Sequence, residues 1–351
     1  MDTCSTIRHS RSSTWFRTPG SLSLVFILCL ISFSTSVAAD TQETGFWSIQ
    51  LENDLWGSGD DRFYTHGTEI SYASVDTPPK FLTSLSDSLP FYRKGGFEIH
   101  GYSLGQTIFT PEDIEQETLV EDDRPYAGWL FLDMGIAHLY EDQGDREKIN
   151  GLILTLGVVG PISLAEQVQR GIHRLTGSDN PRGWDNQLEN ELGINLTYLR
   201  KWRRLFPLQS SRSFELSHHG GLTLGNVYTY ASLGVMARWG TRLKNDIGPP
   251  TISPGFPGIP AFRPDPTFNW YLFAGVEARA MARNIFLDGN TFRDSHSVDK
   301  KPLVGDLQFG FAFHFNDTRI AFSHMIRSRE FEGQSDPAQY GAINITVYSR
   351  P

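Results

Sequence analysis

The sequence predicts an all-β fold: a transmembrane antiparallel up-and-down β-barrel of about 12 strands, with one short helix in an extracellular loop. Three observations predict it. Apolar residues alternate with polar or small ones at period two through most of the chain. The alternating segments run to about ten to fifteen residues, against the five or six usual in a soluble sandwich. The N-terminus reads as an export signal, yet no later apolar run approaches the roughly 18 residues of a spanning helix. An exported membrane protein without such helices must close as a barrel, which pairs its backbone groups internally.

At the N-terminus, Arg8, Arg11 and Arg17 precede an apolar run from Leu22 to Phe33, and Val37-Ala38-Ala39 supply small residues before Asp40. A charged region, an apolar region and a small-residue cleavage site make residues 1–39 a signal peptide and residues 40–351 the barrel domain. Cys4 and Cys29 both fall in the discarded part, which leaves no disulfide framework, thiolate metal site or cysteine nucleophile. With 20% charged and 39% hydrophobic residues the chain is not a disordered acidic one. Its net charge of -9 excludes nucleic acid as a partner class, because nothing here would release phosphate counterions.

Strands are expected near 46–54, 63–76, 97–110, 127–141, 148–160, 192–205, 213–225, 228–240, 268–283, 302–316, 318–331 and 339–350. The first carries Trp47, Ile49 and Leu51 on one face; the fifth carries Leu152, Leu154, Leu156 and Val158. The tenth carries Leu307, Phe309, Phe311, Phe313 and Phe315, and the last Ile343, Ile345 and Val347. These faces are assigned to lipid and the polar faces to the lumen, where Glu277 and Arg279 can pair and plug it. Asp142-Gln143 and Asn316-Asp317 mark tight turns. The 241–267 connection, with seven prolines, is read as an extended surface loop. Arg200, Lys201, Arg203 and Arg204 are read as side chains snorkelling to headgroups.

One stretch breaks the strand rhythm. Ser163 and Glu166 form a capping box, helical sequence continues to Leu175, and Gly177 suits the C′ position. Glu166, Gln169 and His173 share one face of this helix.

Polar clusters gather at strand ends. Asn53-Asp54 closes the first strand, and Asp60-Asp61-Arg62 leads into Tyr64-Thr65-His66-Gly67 of the second. Gln106 and Thr110-Pro111 close the third, Asp123-Arg124-Pro125-Tyr126 opens the fourth, and the helix with Trp184-Asp185-Asn186-Gln187 joins the fifth to the sixth. Strands of such a barrel alternate in direction, so all these clusters fall on one rim, the outer one if the N-terminus is periplasmic. Asn53 continues the lipid face, where a polar residue is costly unless covered. The helix can supply that cover, which points to a site between barrel wall and helix. His173 is a candidate general base. Asp54, Asp179, Thr65 and backbone carbonyls are hard oxygen ligands suited to Ca²⁺. Such a pair would hydrolyse a lipid ester.

Together these motifs, with the run from Gly160-Pro161 through Gln169 to His173, resemble the outer-membrane lipid A deacylase family, the LpxR-like lipid A 3-O-deacylases. The resemblance implies a twelve-stranded barrel that removes the 3′-linked acyloxyacyl chain from lipid A of lipopolysaccharide in the outer leaflet, using Ca²⁺. It implies catalytic roles for His173, Gln169 and Asn53, and metal ligation by Asp54, Thr65 and Asp179. Asp179 stands where the family has Glu. Asp123, Arg124, Tyr126, Gln106 and Trp184 are expected to bind substrate or support the site. Barrel assembly machinery is the partner expected during biogenesis. The alternatives are an outer-membrane phospholipase, whose His-x-Ser-Asn-Gly stretch is missing here, and a non-enzymatic porin or adhesin barrel.

Overall fold

The computed structural model describes residues 45–349, apart from 58–62, 90–91, 93–94, 142–143, 145, 209–210, 250, 253 and 256–257. The expected export signal with its two cysteines, the Asp60-Asp61-Arg62 run and the expected Asp142-Gln143 turn lie outside the described residues. The described residues belong to one compact unit spanning 42–351.

The strands are β1 (Gly45–Asn53), β2 (Phe63–Ser74), β3 (Phe97–Thr110), β4 (Ala127–Glu141), β5 (Arg146–Val159), β6 (Glu191–Pro207), β7 (Arg212–Gly225), β8 (Tyr228–Thr241), β9 (Asp265–Asn284), β10 (Leu303–Asn316), β11 (Thr318–Arg327) and β12 (Ala338–Ser349). Each pairs antiparallel with its sequence neighbour, and β1 closes on β12 from Gly45↔Ser349 to Asn53↔Gly341. No helix among the described residues is long and apolar enough to cross a membrane. The period-two pattern does what was expected of it. Trp47, Leu156, Leu192, Leu233, Val276 and Phe313 stand exposed on the outer wall. Ser48, Gln50, Glu52, Lys201, Glu277 and Asn344 are buried in the lumen.

The helices are α1 (Lys80–Ser88), α2 (Ala165–Thr176) and the single turn α3 (Ile285–Asp288). The sequence reading expected only α2. Helix α1, between β2 and β3, lies against the outer wall at the rim away from the polar clusters. Its Leu82, with Tyr92, covers Ile136 of β4 and Leu152 of β5. Leu152 is therefore buried although it faces outward, because protein takes the place of lipid there.

Three other expectations need correction. The 241–267 segment is not a surface loop. It turns into the lumen, where Asp246 bonds Arg319 at 2.8 Å, His314 at 2.9 Å and Tyr271 at 2.7 Å. Further along, Ile247 O accepts from Lys201, Ile252 N–H donates to Glu52, and Pro254 O accepts from Arg327. A barrel of this width leaves a lumen that wall side chains alone do not fill, and a proline-rich segment with few N–H groups suits such a place. Second, the basic cluster of β6 divides by parity. Arg200 and Arg204 lie outside, over Trp202 and Phe206, but Lys201 and Arg203 are buried in the lumen. Arg203 pairs with Glu215 at 2.7 Å and Glu147 at 2.6 Å. Third, Ser163 is not the N-cap. A 3-10 turn, Pro161–Ser163, comes first, and Leu164, with φ 61°, caps the helix by its carbonyl to Val168 N. Glu166 bonds Arg170 instead of reaching back.

Glu277 and Arg279 do pair, at 2.6 Å, and Arg279 continues to Asp306 and Arg327. These ion pairs and the threaded loop fill the lumen. The protein should accordingly give no steady conductance in planar bilayers. Replacing residues 246–260 with a short Gly-Ser linker should open discrete conductance steps; an open channel in the unaltered protein would contradict a filled lumen.

Candidate active site

The site is built on the outside of the barrel. Asn53 of β1 pairs with His66 of β2, His66 with Ile108 of β3, and Ile108 with Gly128 of β4. These four residues form one outward-facing row near the rim, with strands about 4.8 Å apart. A β-bulge at Thr65 matters here. The register shifts between Tyr64 and His66, so the extra residue Thr65 and the following His66 both face outward. Thr65 Oγ1 lies 2.7 Å from Thr110 Oγ1, and Thr65 O accepts from Asn53 Nδ2 at 2.8 Å.

Helix α2 covers one end of this row. Gly128 is required by contact: a Cβ there would strike Ser163 Oγ and Ala165 Cβ. Ala165 and Trp184 pack with Ile108 and Tyr126 beneath the helix. Gln106 Nε2 donates to Ser163 O at 2.6 Å and fixes the helix entry. Gly177, with φ 76°, ends the helix, and its N–H donates to His173 O.

Gln169 and His173, one turn apart on the buried face, are 1% and 5% exposed. Trp184 Nε1 donates to Gln169 Oε1 at 2.8 Å. That bond fixes the amide, and Gln169 Nε2 is left buried with no hydrogen-bond partner among the described residues. The Nδ1 atom of His173 meets Asp179 O in a short hydrogen bond. A carbonyl can only accept, so Nδ1 donates and carries a proton, and Nε2 is the ring nitrogen placed to act as a base.

At the other end of the row, Asn53 caps a 3-10 turn, Asp54–Trp56, by accepting Leu55 N–H. Asp54 is 1% exposed. Leu55 and Trp56 are exposed, and Trp56 packs on Gly341 of β12. Asp54, Thr65 and Thr110 offer one carboxylate and two hydroxyl oxygens, hard donors of the kind Ca²⁺ accepts. No three His, Cys, Asp or Glu side chains among the described residues cluster as a metal site. A cation here would rest on that one carboxylate with hydroxyl and carbonyl oxygens. Asp179 is exposed, and its carbonyl, rather than its carboxylate, serves the site.

The supporting residues divide. Gln106, Tyr126 and Trp184 hold the helix; Tyr126 OH donates to Ile114 O, and its ring lies 4.9 Å from that of Trp184. Arg124 instead lies fully buried over the Phe109 ring, donating to Phe63 O and pairing with Glu330 at 3.4 Å. Asp123 shapes the preceding loop. Burial raises its carboxyl above the usual range, and the N–H groups of Glu112 and Arg124, both at 2.7 Å, hold it down. His66 and Thr110, noted in the sequence as members of the rim clusters but given no role there, lie in this outward row. No spacing in the sequence announces the bulge that turns Thr65 outward.

The fold and this placement define an outer-membrane β-barrel with a polar site on its outer wall, under a helix. The chain belongs to the family described as outer membrane protein LpxR, which matches residues 24–349. The solved structure of LpxR from Salmonella typhimurium is 19% identical and aligns with a TM-score of 0.69 over 86% of this chain and 99% of that one. The β domain of the Bordetella autotransporter BrkA (10% identity, 87% and 98% covered) gives 0.42. The translocator domain of NalP from Neisseria meningitidis (10%, 94% and 96%) gives 0.37. No curated protein matches the chain.

Replacing Trp184 by Phe removes the donor to Gln169. The stranded buried acceptor should cost the helix about 1–3 kcal/mol. Amide exchange across 165–176 should quicken while the barrel keeps its heat-modifiable mobility; unchanged exchange would deny Trp184 this role.

Proposed function

We propose that this protein is a lipid A deacylase that hydrolyses the 3′-linked (acyloxy)acyl ester of lipopolysaccharide with His173 as general base. The observation that carries the reading is the buried pair on α2: His173, whose Nδ1 is held by the Asp179 carbonyl, beside Gln169, whose Nε2 has no hydrogen-bond partner among the described residues, on the lipid-facing wall. A substrate held in the outer leaflet reaches such a site sideways, without leaving the membrane. Helix α2 packs on β3 and β4, and β3 pairs with β2, which carries Thr65 against Thr110.

In this reading His173 Nε2 takes a proton from water as the water oxygen bonds to the ester carbonyl carbon. The imidazolium then returns a proton to the sugar oxygen as the carbon–oxygen bond breaks, releasing a fatty acid and a free sugar hydroxyl. The Asp179 carbonyl keeps the ring oriented. Gln169 Nε2 donates to the oxygen on which charge develops, and Asn53 holds the Asp54 turn against Thr65. Asp54 and Thr65 would hold Ca²⁺, which when bound supplies Lewis-acid polarisation of the ester carbonyl. The loop threaded into the lumen disfavours a porin, since it stands in the path a solute would take.

Mass spectrometry of lipid A from a host expressing the chain should show loss of an acyloxyacyl mass. His173→Ala should abolish that loss, by about 10² to 10⁴ in rate, while leaving a folded, heat-modifiable barrel; full activity in this variant would sink the assignment. EGTA should silence the enzyme and added Ca²⁺ restore it, and a rate indifferent to chelation would remove the calcium role.

A further inference from the structure

We propose that Glu52 is a positioning residue for this site, and that the loop threaded through the lumen braces the Asn53–Asp54 turn from behind. The proposal rests on reading the outer wall as a hydrolase site. Glu52 is 1% exposed and faces the lumen, while its neighbour Asn53 faces outward. One carboxyl oxygen accepts Ile252 N–H and Gln50 Nε2, both at 3.1 Å, and the other accepts Tyr64 OH at 2.7 Å. These bonds bind three segments at one point. Gln50 lies on β1, two residues before Glu52. Tyr64 lies on β2, one residue before Thr65. Ile252 belongs to the threaded loop, whose Asp246 end is anchored among Arg319, His314 and Tyr271 at the opposite part of the lumen.

The packing agrees with the hydrogen bonds. Gly67 is the cross-strand partner of Glu52, and a Cβ on it would come within 2.8 Å of Ile252 Cδ1 and strike Tyr64 OH. The loop therefore presses on the inner side of the wall where the site is carried on the outer side. Its next turn is held by Arg327, which donates to Pro254 O at 2.8 Å and to Tyr340 OH at 3.3 Å. The Tyr340 ring lies 4.6 Å from that of Tyr64. Outside, Asn53 and Asp54 sit at the end of a strand where little protein packs over them. The lumen supplies the rigidity that lipid cannot, and a misplacement of about 1 Å at a reacting centre costs on the order of 10² in rate.

The test uses full-length protein in mixed micelles with purified lipopolysaccharide, reading kcat and KM together with amide exchange at residues 54–56. Glu52→Ala and Ile252→Pro, the latter removing the loop's N–H donor and the Ile252 side chain while changing no wall residue, should each lower kcat about tenfold or more. KM should stay within about twofold, because no substrate contact is lost. Both should quicken exchange of the Leu55 amide. Glu52→Gln should recover most of the rate, since its carbonyl still accepts Ile252 N–H and its amide can donate to the Tyr64 oxygen. Glu277→Gln, a luminal change away from the loop tip, should leave kcat and the exchange at 54–56 unchanged. A folded Ile252→Pro with unaltered kcat and exchange would overturn the proposal, as would an equal loss in Glu277→Gln. If the wild-type protein leaves lipid A intact, the deacylase reading fails, and the exchange rates alone decide whether the loop braces the turn.

Discussion

The pairing of the first strand with the last governs everything else. Nine residues of β1 lie in register with β12, and their backbone groups have no other partner that a membrane could provide. Once that seam closes, every strand has two neighbours and no edge remains. The closure also makes the alternation of side chains absolute. A residue one position along looks either at lipid or into the lumen, so chemistry and support can occupy opposite faces of the same few residues.

The lumen shows what that division demands. Arg203, Glu215 and Arg238 form one charged group, Asp246 with Arg319 and His314 a second, and Glu277, Arg279, Asp306 and Arg327 a third. Buried ion pairs are weak evidence for stability, because desolvation offsets their attraction. Their contribution here is geometric. Paired charges on the wall give the entering loop fixed points to bind, and the loop in turn takes up luminal space that water would otherwise occupy. A cavity of about 170 Å³ remains between the loop and β2–β6, lined by Glu69, Asp133 and Lys201 among apolar residues.

On the outside the problem is reversed. Polar groups facing lipid need cover, and α2 provides it over Ile108 and Gly128. The helix also carries Gln169 and His173 on its buried face, so the cover and the proposed catalytic groups are one element. Its orientation depends on small features: a glycine that lets Ala165 approach, an indole N–H that fixes an amide, and a carbonyl that fixes an imidazole tautomer.

Much of this was legible in the chain. Period-two alternation located all twelve strands, because a barrel wall between lipid and lumen imposes one demand on every second residue. Strand parity put Asn53, Thr65, Asp123 and the helix on one rim, and Asn53 on the outer face; the helix, expected to cover Asn53, packs over Ile108 and Gly128 instead. Elsewhere local sequence was silent or misleading. Seven prolines describe an extended segment, but only the width of the closed lumen decides that the segment turns inward. Arg200 and Lys201 are adjacent basic residues, and only register sends one to the surface and the other to Ile247. Ser163 and Glu166 spell a cap that the 3-10 turn beside Gly128 overrides. The bulge at Thr65 carries no signature of its own, yet it turns Thr65 to the outer face beside Thr110. The sequence by itself determined the alternation, and with it the barrel and the rim. The tertiary structure alone decided what fills the lumen and which polar atoms meet across strands, because those contacts join residues far apart in the chain and come into being only when the sheet closes.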